Sequence, residues 1–546
     1  MALRAAVALF GLLLLLPFEP RAPVLALAGA RITLLEAAAV LALLVLAWDA
    51  RGRVGAVARR PPLPLLALAL FGVANLLSGA LAADHRGLAL KFAVRMVAMG
   101  AFALVVAALP PRVHRAGLLG LTTAATLVAL LAVGEGFGAR SLDTFLGAFR
   151  EAPFNVAGVR RASAGTEYPN LAAAFLMYGL LASAGLLSVR PWAWRVTAPL
   201  AALLSLGLLF TYSRGALVAT GLGLVAIAAG RRRSATAPLA ALAAVAGVTL
   251  GFLVSGEAFR LRFGSEGITG WYGARYEPEE RAISLAPGER RATSVTVTNT
   301  GSKTWVVSEA FHLSSHWYDE ERRPYRWDGG RTALPRDLGP GESVTLLAEL
   351  QAPPSEGRFL LTWDMVHEHT TWFSQEGVPA ATVSVQVSRG APPPPGKAPA
   401  PRVEEKPWRP SRWELWSLAL SLWRERPLFG VGPDNYRRLY GPRAGRLSWD
   451  TRVFANNTML EAAATTGLAG ASALAATLLS TLVFAWRRLR QAPAATRAQG
   501  VAAALLGLSV GLAAHGLVDY VLAFTGHYLL FGFVVGSISA REEGAA

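Results

Sequence analysis

The chain has 546 residues, and with 53% hydrophobic residues it is too apolar for a single soluble domain of this length. It contains no cysteine, which excludes a disulfide framework and any metal or cofactor site with Cys ligands. A net charge of +17 would suit nucleic-acid binding, but the positions of the arginines favour another explanation.

Hydrophobic segments near the length that crosses a bilayer recur along the chain. We therefore predict a polytopic membrane protein with about twelve transmembrane helices, rather than a soluble protein with buried helices. Small residues dominate these segments, as expected for helices that approach closely in lipid. The predicted spans are 5–18, 32–48, 62–82, 88–108, 116–134, 169–188, 196–212, 214–230, 236–255, 458–486, 498–518 and 521–540.

Arginine is concentrated in every second loop between the predicted spans, with Asp49 as the accompanying acid. These arginines are Arg51, Arg53, Arg59, Arg60, Arg112, Arg115, Arg190, Arg195, Arg231, Arg232, Arg233, Arg487, Arg488, Arg490 and Arg497. Because cytoplasmic loops carry the excess of Lys and Arg, we predict that both termini are cytoplasmic and that no nucleic acid is bound. The first segment, with Arg4 and small residues around 25–31, could instead be a signal peptide.

One long segment, roughly 256–457, interrupts the spans and is predicted to lie outside the cytoplasmic membrane. Within it, 278–388 alternates apolar and polar residues in SVTVTNTG, ESVTLLAEL, GRFLLTWDMV and ATVSVQV, with turn sequences between these runs. Short strands with regular turns predict an inserted all-β, immunoglobulin-like sandwich. The tryptophans that could fill its core, or form a sugar-stacking face, are Trp305, Trp317, Trp363 and Trp372.

A proline-rich stretch, APPPPGKAPAP, predicts a stiff linker over 389–410. It is followed by SRWELWSLALSLWRER, Ser411–Arg426, in which Trp413, Trp416 and Trp423 recur at helical spacing. We predict an amphipathic helix that either lies on the outer membrane surface or packs against the membrane domain.

The sequence TYSRG forms a very short turn between two predicted spans on the outer side. Arg214 therefore lies at the membrane interface, where a charge is costly and usually functional, although it could also be an interfacial anchor. An arginine there can donate two parallel hydrogen bonds to a pair of diphosphate oxygens. Ser213, in the same turn, is a further candidate for substrate binding.

Two other pairs of cations are candidates for the same anionic group. Arg160 and Arg161, in RRASAGTEYPN, precede the sixth span and either bind substrate or are simply solvated in a loop. Lys91 and Arg95 lie four residues apart and so share one face of the fourth span. Two cations inside a span should face a polar cavity or a lipid phosphate, unless Lys91 snorkels to the interface.

The stretch Pro427–Gly470 is the most informative part of the sequence. It begins with RPLFGVGPDNY, in which Gly430 and Gly432 permit a tight return and Asp434 or Asn435 can cap a helix or bind a ligand. An Arg-rich gap leads to FANNTMLEAAATTGLAG. Each motif is weak by itself, and their order carries the information.

Together these motifs resemble the signature of the O-antigen ligase and O-antigen polymerase family of membrane glycosyltransferases. TYSRG is similar to the family's Ser-Arg-Gly turn, PLFGVGPDNY to its loop, and Asn457 followed by nine residues and GLAG to its terminal motif. RASAGTEYPN and HGLVDY resemble neighbouring segments. The resemblance covers 155–257 and 411–535, so that 278–388 is an insertion.

The resemblance implies a GT-C-like enzyme that transfers or polymerises a glycan from an undecaprenyl-diphosphate lipid. The reaction would occur on the periplasmic side of a bacterial inner membrane, in the biosynthesis of O-antigen or exopolysaccharide. Arg214, Arg161 and Arg95 would bind the diphosphate, and the Asn456–Asn457 loop would position the acceptor hydroxyl. The acceptor is a glycan, a lipid or a protein, and it alone distinguishes a ligase from a polymerase.

Asn456 departs from the family pattern, because this position is commonly a histidine taken to activate the acceptor hydroxyl. An asparagine cannot accept a proton near neutral pH and so cannot be a general base. Glu461, Asp434 and His515 are the candidate replacements. Glu461 could instead simply begin a helix, and His515 could pack between helices.

No Asp-x-Asp pair occurs in the sequence, which fits an enzyme that binds a lipid diphosphate with arginine and needs neither metal nor cofactor. Rival functions are a polysaccharide transporter or flippase with an outer glycan-binding domain, which should show internal repeats that we do not find, and a pure binding or sensing protein. The predicted domains are 1–256 (about nine spans), 278–388 (sandwich), 389–410 (linker), 411–457 (surface helix and catalytic loop) and 458–546 (about three spans).

Overall fold

The structure is a computed structural model, and the chain divides into two compact units. The first contains the described residues of Met1–Phe154, Arg160–Val254 and Arg409–Ala546, and the second those of Asn155–Val159 and Ser255–Trp408. The structure describes residues 2–27, 30–139, 141–151, 153–156, 159–187, 194–230, 270–368, 371–389, 410–446 and 449–540. The predicted ninth span, 236–255, and most of the predicted linker lie outside the described residues.

The first unit is helical. Its helices are α1 (Ala2–Leu15), α2 (Leu34–Arg59), α3 (Leu63–Leu81), α4 (Arg86–Ala107), α5 (Pro111–Gly136), α6 (Leu142–Leu146), α7 (Pro169–Leu187), α8 (Trp194–Phe210), α9 (Arg214–Gly230), α10 (Arg412–Glu425), α11 (Tyr436–Arg443), α12 (Thr458–Gln491), α13 (Arg497–Gly516) and α14 (Thr525–Ser539). Four short strands lie in the N-terminal part of the chain: β1 (Leu25–Leu27), β2 (Ala30–Ile32), β3 (Phe154–Val156) and β4 (Val159–Arg161).

Within the part of the chain that is described, six helices are long and apolar enough to cross a membrane: α3, α4, α5, α7, α12 and α13. Shorter apolar helices accompany them at α1, α8, α9 and α14. The coarse prediction of a mainly helical protein with membrane-length helices is therefore confirmed. The count of twelve spans stays a prediction.

Close packing between these helices depends on small residues. A Cβ on Gly120 of α5 would clash with the backbone oxygen of Phe10 in α1, and a Cβ on Gly185 of α7 would clash with the backbone of Ala504 in α13. Without a hydrophobic driving force between helices in lipid, such close backbone approach supplies van der Waals contact. The small residues of the spans therefore hold the bundle together.

Helix α10 begins with a capping box, in which Ser411 accepts from the Glu414 amide and the Glu414 carboxylate accepts from the Ser411 amide. Its buried side chains are Leu415, Ala419 and Leu422, and the helix packs on α12. Trp413, by contrast, is 76% exposed. The apolar face of α10 thus lies against the helical unit.

The second unit is built from β-strands in two sheets. Its strands are β5 (Ala274–Pro278), β6 (Ala282–Leu285), β7 (Arg290–Asn299), β8 (Phe311–Tyr318), β9 (Pro324–Arg326), β10 (Thr332–Ala333), β11 (Ser343–Gln351), β12 (Gly357–His367), β13 (Thr371–Trp372) and β14 (Ala381–Val387). A short 3-10 helix covers Val307–Glu309. The unit thus begins before the predicted boundary at 278.

The larger sheet has the order β10-β8-β12-β14-β6, with β13 added beside β12 and β9 beside β8. The smaller sheet has the order β11-β7-β5. All pairings are antiparallel except that of β14 with β6. Burial alternates along β7, β11 and β14, so each sheet turns one face to a core.

Three of the four predicted tryptophans fill that core. Trp305, Trp317 and Trp363 are almost completely buried, whereas Trp372 is only half-buried. Trp305 packs edge-on against Phe373, with ring centroids 5.3 Å apart. The prediction of a tryptophan-filled β core is right for these three residues, and a sugar-stacking role for them is wrong because their rings are not accessible.

Candidate functional site

The sequence motifs of the first unit converge through a chain of hydrogen bonds. Arg161, from RASAGTEYPN, is buried, and its Nε donates to the Thr211 carbonyl of the TYSRG turn at 2.8 Å. Its Nη2 donates to Asn170 Oδ1 at 2.9 Å, and Asn170 Nδ2 donates to Asp519 Oδ2 at 2.9 Å. Asp519 belongs to HGLVDY. Three segments distant in sequence are thus tied together.

The Asn-pair motif joins the same chain at the start of α12. Asn457 is the N-cap of that helix, and its Oδ1 accepts from the Met459 and Leu460 amides, each at 3.0 Å. Its Nδ2 donates to the Leu517 carbonyl at 2.9 Å, and Thr458 Oγ1 donates to the Asp519 carbonyl at 3.0 Å. The Asn457 side chain is therefore engaged in holding the loop.

The TYSRG turn packs directly on the HGLVDY segment. A Cβ on Gly215 would lie 2.5 Å from Val518 Cγ2, so a larger residue would not fit there. Thr211, Tyr212 and Ser213 are buried, and Arg214 is half-buried as the first residue of α9. The amides and the dipole of a helix N-terminus favour a bound anion. The Arg214 side chain and the start of α9 can therefore bind one anion together.

The PLFGVGPDNY loop pairs with a break in α12. Gly467 has φ 65° and ψ −163°, which interrupts the helix. Around this break, the Leu468 amide donates to the Pro427 carbonyl at 2.7 Å, and the Gly432 amide donates to the Thr465 carbonyl at 2.9 Å. Backbone groups released by the break are thereby satisfied by the loop, as a helix in a membrane requires.

Asp434 and Asn435 are occupied with the internal structure of this loop. Asp434 accepts from Arg437 Nε at 2.6 Å and from Arg438 Nη1 at 2.8 Å. Burial is the largest influence on Arg437 and disfavours its charged form, but the hydrogen bond and the negative charge of Asp434, together with the nearby Glu461, outweigh burial and raise the pKa of Arg437. Asn435 is buried and donates to the Asp84 carbonyl at 2.7 Å. Neither residue is therefore a strong candidate for proton transfer.

Glu461 and His515, the other two candidate bases, are both buried. Glu461 lies in the first turn of α12, and its Oε2 accepts from the Ala455 amide at 2.8 Å. Its Oε1 has no hydrogen-bond partner among the described residues. His515 Nε2 lies 4.0 Å from Asp519 Oδ2, and its Nδ1 also lacks a described partner. Each residue thus has one buried polar atom without a described hydrogen bond.

Arg160 belongs to a separate cluster of ion pairs. It pairs with Asp143, and its Nη2 lies 3.3 Å from Glu135 Oε1. Arg150 pairs with the same Glu135, whose Oε2 accepts from the Ser163 amide at 3.1 Å. The hydrogen bond from Arg160 is the main reason that the pKa of the Asp143 carboxyl is lowered from its usual value. The charge of Arg160 is thus compensated by carboxylates.

Arg95 is also paired, but elsewhere in the helical unit. Its Nη2 lies 2.9 Å from Glu36 Oε1, in the first turn of α2. Glu36 closes a capping box with Thr33, and Thr33 Oγ1 donates to Glu19 Oε1 at 2.7 Å. Arg95 therefore contributes to a second polar cluster. Pairing with Glu36 is an alternative to its predicted role in diphosphate binding.

Backbone strain is concentrated in the motif segments. Eight described non-glycine residues have a positive φ, and four of them lie in the motifs: Ala164, Tyr212, Asp434 and Asn456. Such conformations persist only where the surroundings enforce them, and they cluster at functional sites. Asn456, with φ 51°, is one of the residue types that tolerate this conformation best.

A groove of about 410 Å³ opens beside the PLFGVGPDNY loop, between α10, α11 and the residues before α4. Apolar side chains and two arginines line it, and Glu425 and Arg443 form an ion pair within it. Its lining residues are Ala83, Asp84, Leu422, Glu425, Arg426, Val431, Leu439, Pro442 and Arg443.

The sequence alone did not single out Asn170, Asp519 or Glu135. Asn170 and Asp519 lie inside quoted motifs, but only their side-chain contacts reveal that they join the segments. Glu135 had a usable signal, since an acid at the end of an apolar span is rarely tolerated without a partner or a role. No group of three His, Asp or Glu residues in the described ranges could hold a metal ion. The expected metal independence stays a prediction.

Comparisons with known proteins give no identity. No family model matches the chain, and no curated protein matches it. Among solved structures, it is similar to the Pseudomonas fluorescens alkylpurine DNA glycosylase AlkC bound to DNA containing an abasic site analog, at 12% identity and a TM-score of 0.14. That match covers 60% of this chain and 99% of the glycosylase. With so low a TM-score, the similarity supports no argument about fold or function.

Proposed function

We propose that the protein is a membrane glycosyltransferase that transfers or polymerises a glycan from a polyprenyl-diphosphate lipid such as undecaprenyl diphosphate. In this proposal about twelve helices span a bacterial inner membrane, both termini are cytoplasmic, and the second unit is an immunoglobulin-like sandwich on the outer side. The activity would be of the O-antigen ligase or polymerase type, in the synthesis of surface polysaccharide.

One observation carries the proposal. Hydrogen bonds from Arg161, Asn170, Asn457 and Thr458 join four of the five segments that resemble the family's motifs, although these segments are distant in sequence. A chance resemblance of short motifs has no reason to produce one connected set of polar contacts, most of them buried or part-buried. A satisfied polar network makes the segments that it joins rigid, so it can fix their geometry relative to one another.

Arg214 and the start of α9 would bind the diphosphate of the donor. The acceptor hydroxyl oxygen would attack the anomeric carbon of the donor sugar from the opposite face, forming the new glycosidic bond with inversion. The bond from that carbon to the diphosphate oxygen would break, and the lipid diphosphate would leave with the bonding electrons. Donors already aimed at the departing oxygens stabilise the charge that develops there.

The proton of the acceptor hydroxyl would pass to His515 or Glu461. His515 is the better candidate for a base, because its Nε2 lies 4.0 Å from Asp519 Oδ2 and this carboxylate can stabilise the protonated form. Asp519 is itself held by Asn170, which Arg161 holds in turn. Arg161 therefore acts in this proposal as a positioning residue.

Replacement of Arg214 tests the proposal. Arg214→Ala should lower glycan transfer by about 10²–10³-fold, since one preorganised donor to the developing charge is lost. Arg214→Lys should retain part of the activity, because it keeps the charge without the bidentate geometry. Purified protein would be assayed with an undecaprenyl-diphosphate oligosaccharide, and the products would be separated on a gel.

The matched control is Arg86→Ala, because Arg86 is also the first residue of a helix and is exposed. This variant should transfer glycan as the unaltered protein does. Near-normal transfer by Arg214→Ala, with equal amounts of protein in the membrane, would contradict the diphosphate role. In the same assay, a ladder of longer lipid-linked products indicates a polymerase, and transfer only after addition of a separate acceptor indicates a ligase.

A further inference from the structure

Two tryptophans lie together on the face of the larger β-sheet that is turned away from the core. His316 alternates with the core residue Trp317 along β8, so its side chain lies on this opposite face. The Trp327 ring stacks on His316 at 4.1 Å, and the Trp372 ring lies 4.5 Å from the same imidazole. The two indoles are 6.3 Å apart and inclined at 70°.

The tryptophan pair has a rigid polar support beneath it. His316 and Asp364 are buried, with Nε2 and Oδ2 3.3 Å apart, and the other ring nitrogen of His316 bonds to the Trp327 carbonyl. Asp364 also accepts from the Ser374 amide at 3.2 Å, and Tyr276 Oη donates to Asp364 Oδ1 at 3.3 Å. The indoles are therefore fixed before any ligand arrives, which reduces the entropy lost on binding.

Charged side chains border the rings. The Arg331 guanidinium lies 5.0 Å from the centre of the Trp372 ring and donates to Ser314 Oγ at 3.0 Å. Arg331 also pairs with Asp328 at 2.6 Å and with Glu368. The Asp328 side chain is 67% exposed, and Trp327 is 40% exposed. The surface thus combines accessible flat apolar area with hydrogen-bonding groups at its edge.

This combination fits a sugar ring better than other ligands. A pyranose presents one or two apolar C–H faces to an aromatic ring, and its hydroxyls point outward toward the groups at the ring's edge. A protein partner would favour a wider apolar patch, with few charges at its centre. A phosphate group would meet the carboxylates of Asp328 and Glu368 beside the single Arg331, and the two negative charges would repel it.

We propose that the tryptophan face, defined as Trp327 and Trp372 with Arg331, Asp328 and Glu368 at its edge, binds pyranose units of a glycan. The choice of a glycan rests on the proposed function, since the helical unit would act on the same class of molecule. The second unit would then bind glycan through its own residues. The face is a different set of residues from the buried tryptophans Trp305, Trp317 and Trp363.

The test measures the binding of soluble oligosaccharides that carry no lipid diphosphate. The full chain in lipid nanodiscs would be titrated calorimetrically with a panel of gluco-, manno- and galacto-configured oligosaccharides. Trp327→Ala and Trp372→Ala should each weaken binding by about 5- to 10-fold, as expected for loss of one aromatic contact. Trp327→Tyr should keep most of the affinity, because it retains a ring and the fold.

The matched control is Leu347→Ala, since Leu347 is a large apolar residue that is 69% exposed on the smaller sheet. It should bind as the unaltered protein does. The proposal is overturned if no oligosaccharide binds to the unaltered protein, or if Trp327→Ala and Trp372→Ala bind as tightly as the control.

Arg214→Ala separates this proposal from the proposed function. It should bind soluble oligosaccharide normally while its glycan transfer is lowered by about 10²–10³-fold. If Arg214→Ala transfers glycan normally and Trp327→Ala still loses oligosaccharide binding, the diphosphate role of Arg214 is wrong and the tryptophan face stands. If Arg214→Ala is inactive and the tryptophan variants bind oligosaccharide normally, the diphosphate role of Arg214 stands and the proposed glycan binding by the tryptophan face is wrong.

Discussion

At the scale of single residues, Arg160 and Arg161 differ in the kind of group that they bind. Arg160 is paired with the carboxylates of Asp143 and Glu135, and so serves the internal structure of the loop before α7. Arg161 donates to two neutral oxygens, of Thr211 and Asn170, and so links separate segments. A buried pair of opposite charges is often worth little net stability, but losing one partner is costly. Substitutions at these two positions should therefore have different consequences.

The pH dependence of stability tests the Asp143 pair. The pKa of Asp143 is lowered in the folded protein, chiefly by the hydrogen bond from Arg160. A carboxyl with a lowered folded pKa stabilises the fold above its unfolded pKa, and that contribution is lost as the pH falls through the folded value. Asp143→Asn should therefore lower the unfolding temperature at neutral pH, and the difference from the unaltered protein should shrink as the pH falls below about 4 and vanish only below the lowered folded pKa of Asp143.

Thermal unfolding of purified protein in detergent, measured across this pH range, would check the prediction. Asp84→Asn is a suitable control, because Asp84 is an exposed carboxyl in another loop. A constant difference between Asp143→Asn and the unaltered protein at every pH would show that the ionised carboxylate is not what stabilises the loop.

At the scale of elements, the break in α12 explains why glycines recur in two separate motifs. The backbone of Leu428 and Phe429 lies where a side chain on Gly467 would be, and the backbone of Thr465 lies where a side chain on Gly430 would be. Both glycines have a positive φ. The loop and the helix can therefore share backbone hydrogen bonds only if both positions lack a Cβ. The spacing from Asn457, the N-cap, to Gly467 therefore sets the length of the first part of α12, from its start to the break where the loop packs.

Gly467→Ala should damage this junction. The φ and ψ of Gly467 lie in a region that is essentially reserved for glycine, which costs about 1–3 kcal/mol of strain for another residue. The new Cβ would also displace the loop that carries Asp434 and Asn435. We expect a lower free energy of unfolding and a larger loss of glycan transfer than of protein in the membrane.

The control is Gly100→Ala, at a position in the middle of α4 where a Cβ would meet nothing within 4 Å. That change should leave transfer intact and should stabilise the helix slightly, because alanine has the higher helix propensity. If Gly467→Ala matches this control in both the free energy of unfolding and glycan transfer, the junction has no role in activity.

At the scale of the whole molecule, two units with separate cores share one chain. The helical unit buries small and aliphatic residues between helices, while the β unit buries Trp305, Trp317 and Trp363. Within residues 270–389, the first strand is β5 and the last is β14, and these two strands are in contact. An insertion whose ends lie close together can be added to a fold without separating the elements on either side.

Replacing residues 270–389 with a short flexible linker should therefore leave the helical unit able to insert in the membrane. We expect similar amounts of truncated and full-length protein in the membrane fraction, and similar unfolding temperatures for the helical unit in detergent. Binding of soluble oligosaccharide should be lost. Degradation of the truncated protein, or its failure to insert, would mean that the β unit is needed for the helices to fold.

The sequence determined the features that depend on local composition. Apolar length predicted helices at the positions where α3, α4, α5, α7, α12 and α13 occur, and alternation predicted the strands of the β unit. The start of α12 at Asn457 and the short turn before Arg214 were also legible, because capping residues and turns are local signals.

Only the tertiary structure decided which polar groups meet. The sequence grouped Arg160 with Arg161, yet the first pairs with Asp143 and the second reaches Asn170 and Asp519 through a chain of hydrogen bonds. It also offered four tryptophans either as core residues or as a sugar-stacking face, without separating Trp372 from the three that lie in the core, and it passed over Trp327. The physical reason is the same in each case: composition and periodicity are local properties, whereas the partner of a buried charge and the exposure of a ring depend on residues far away in the chain.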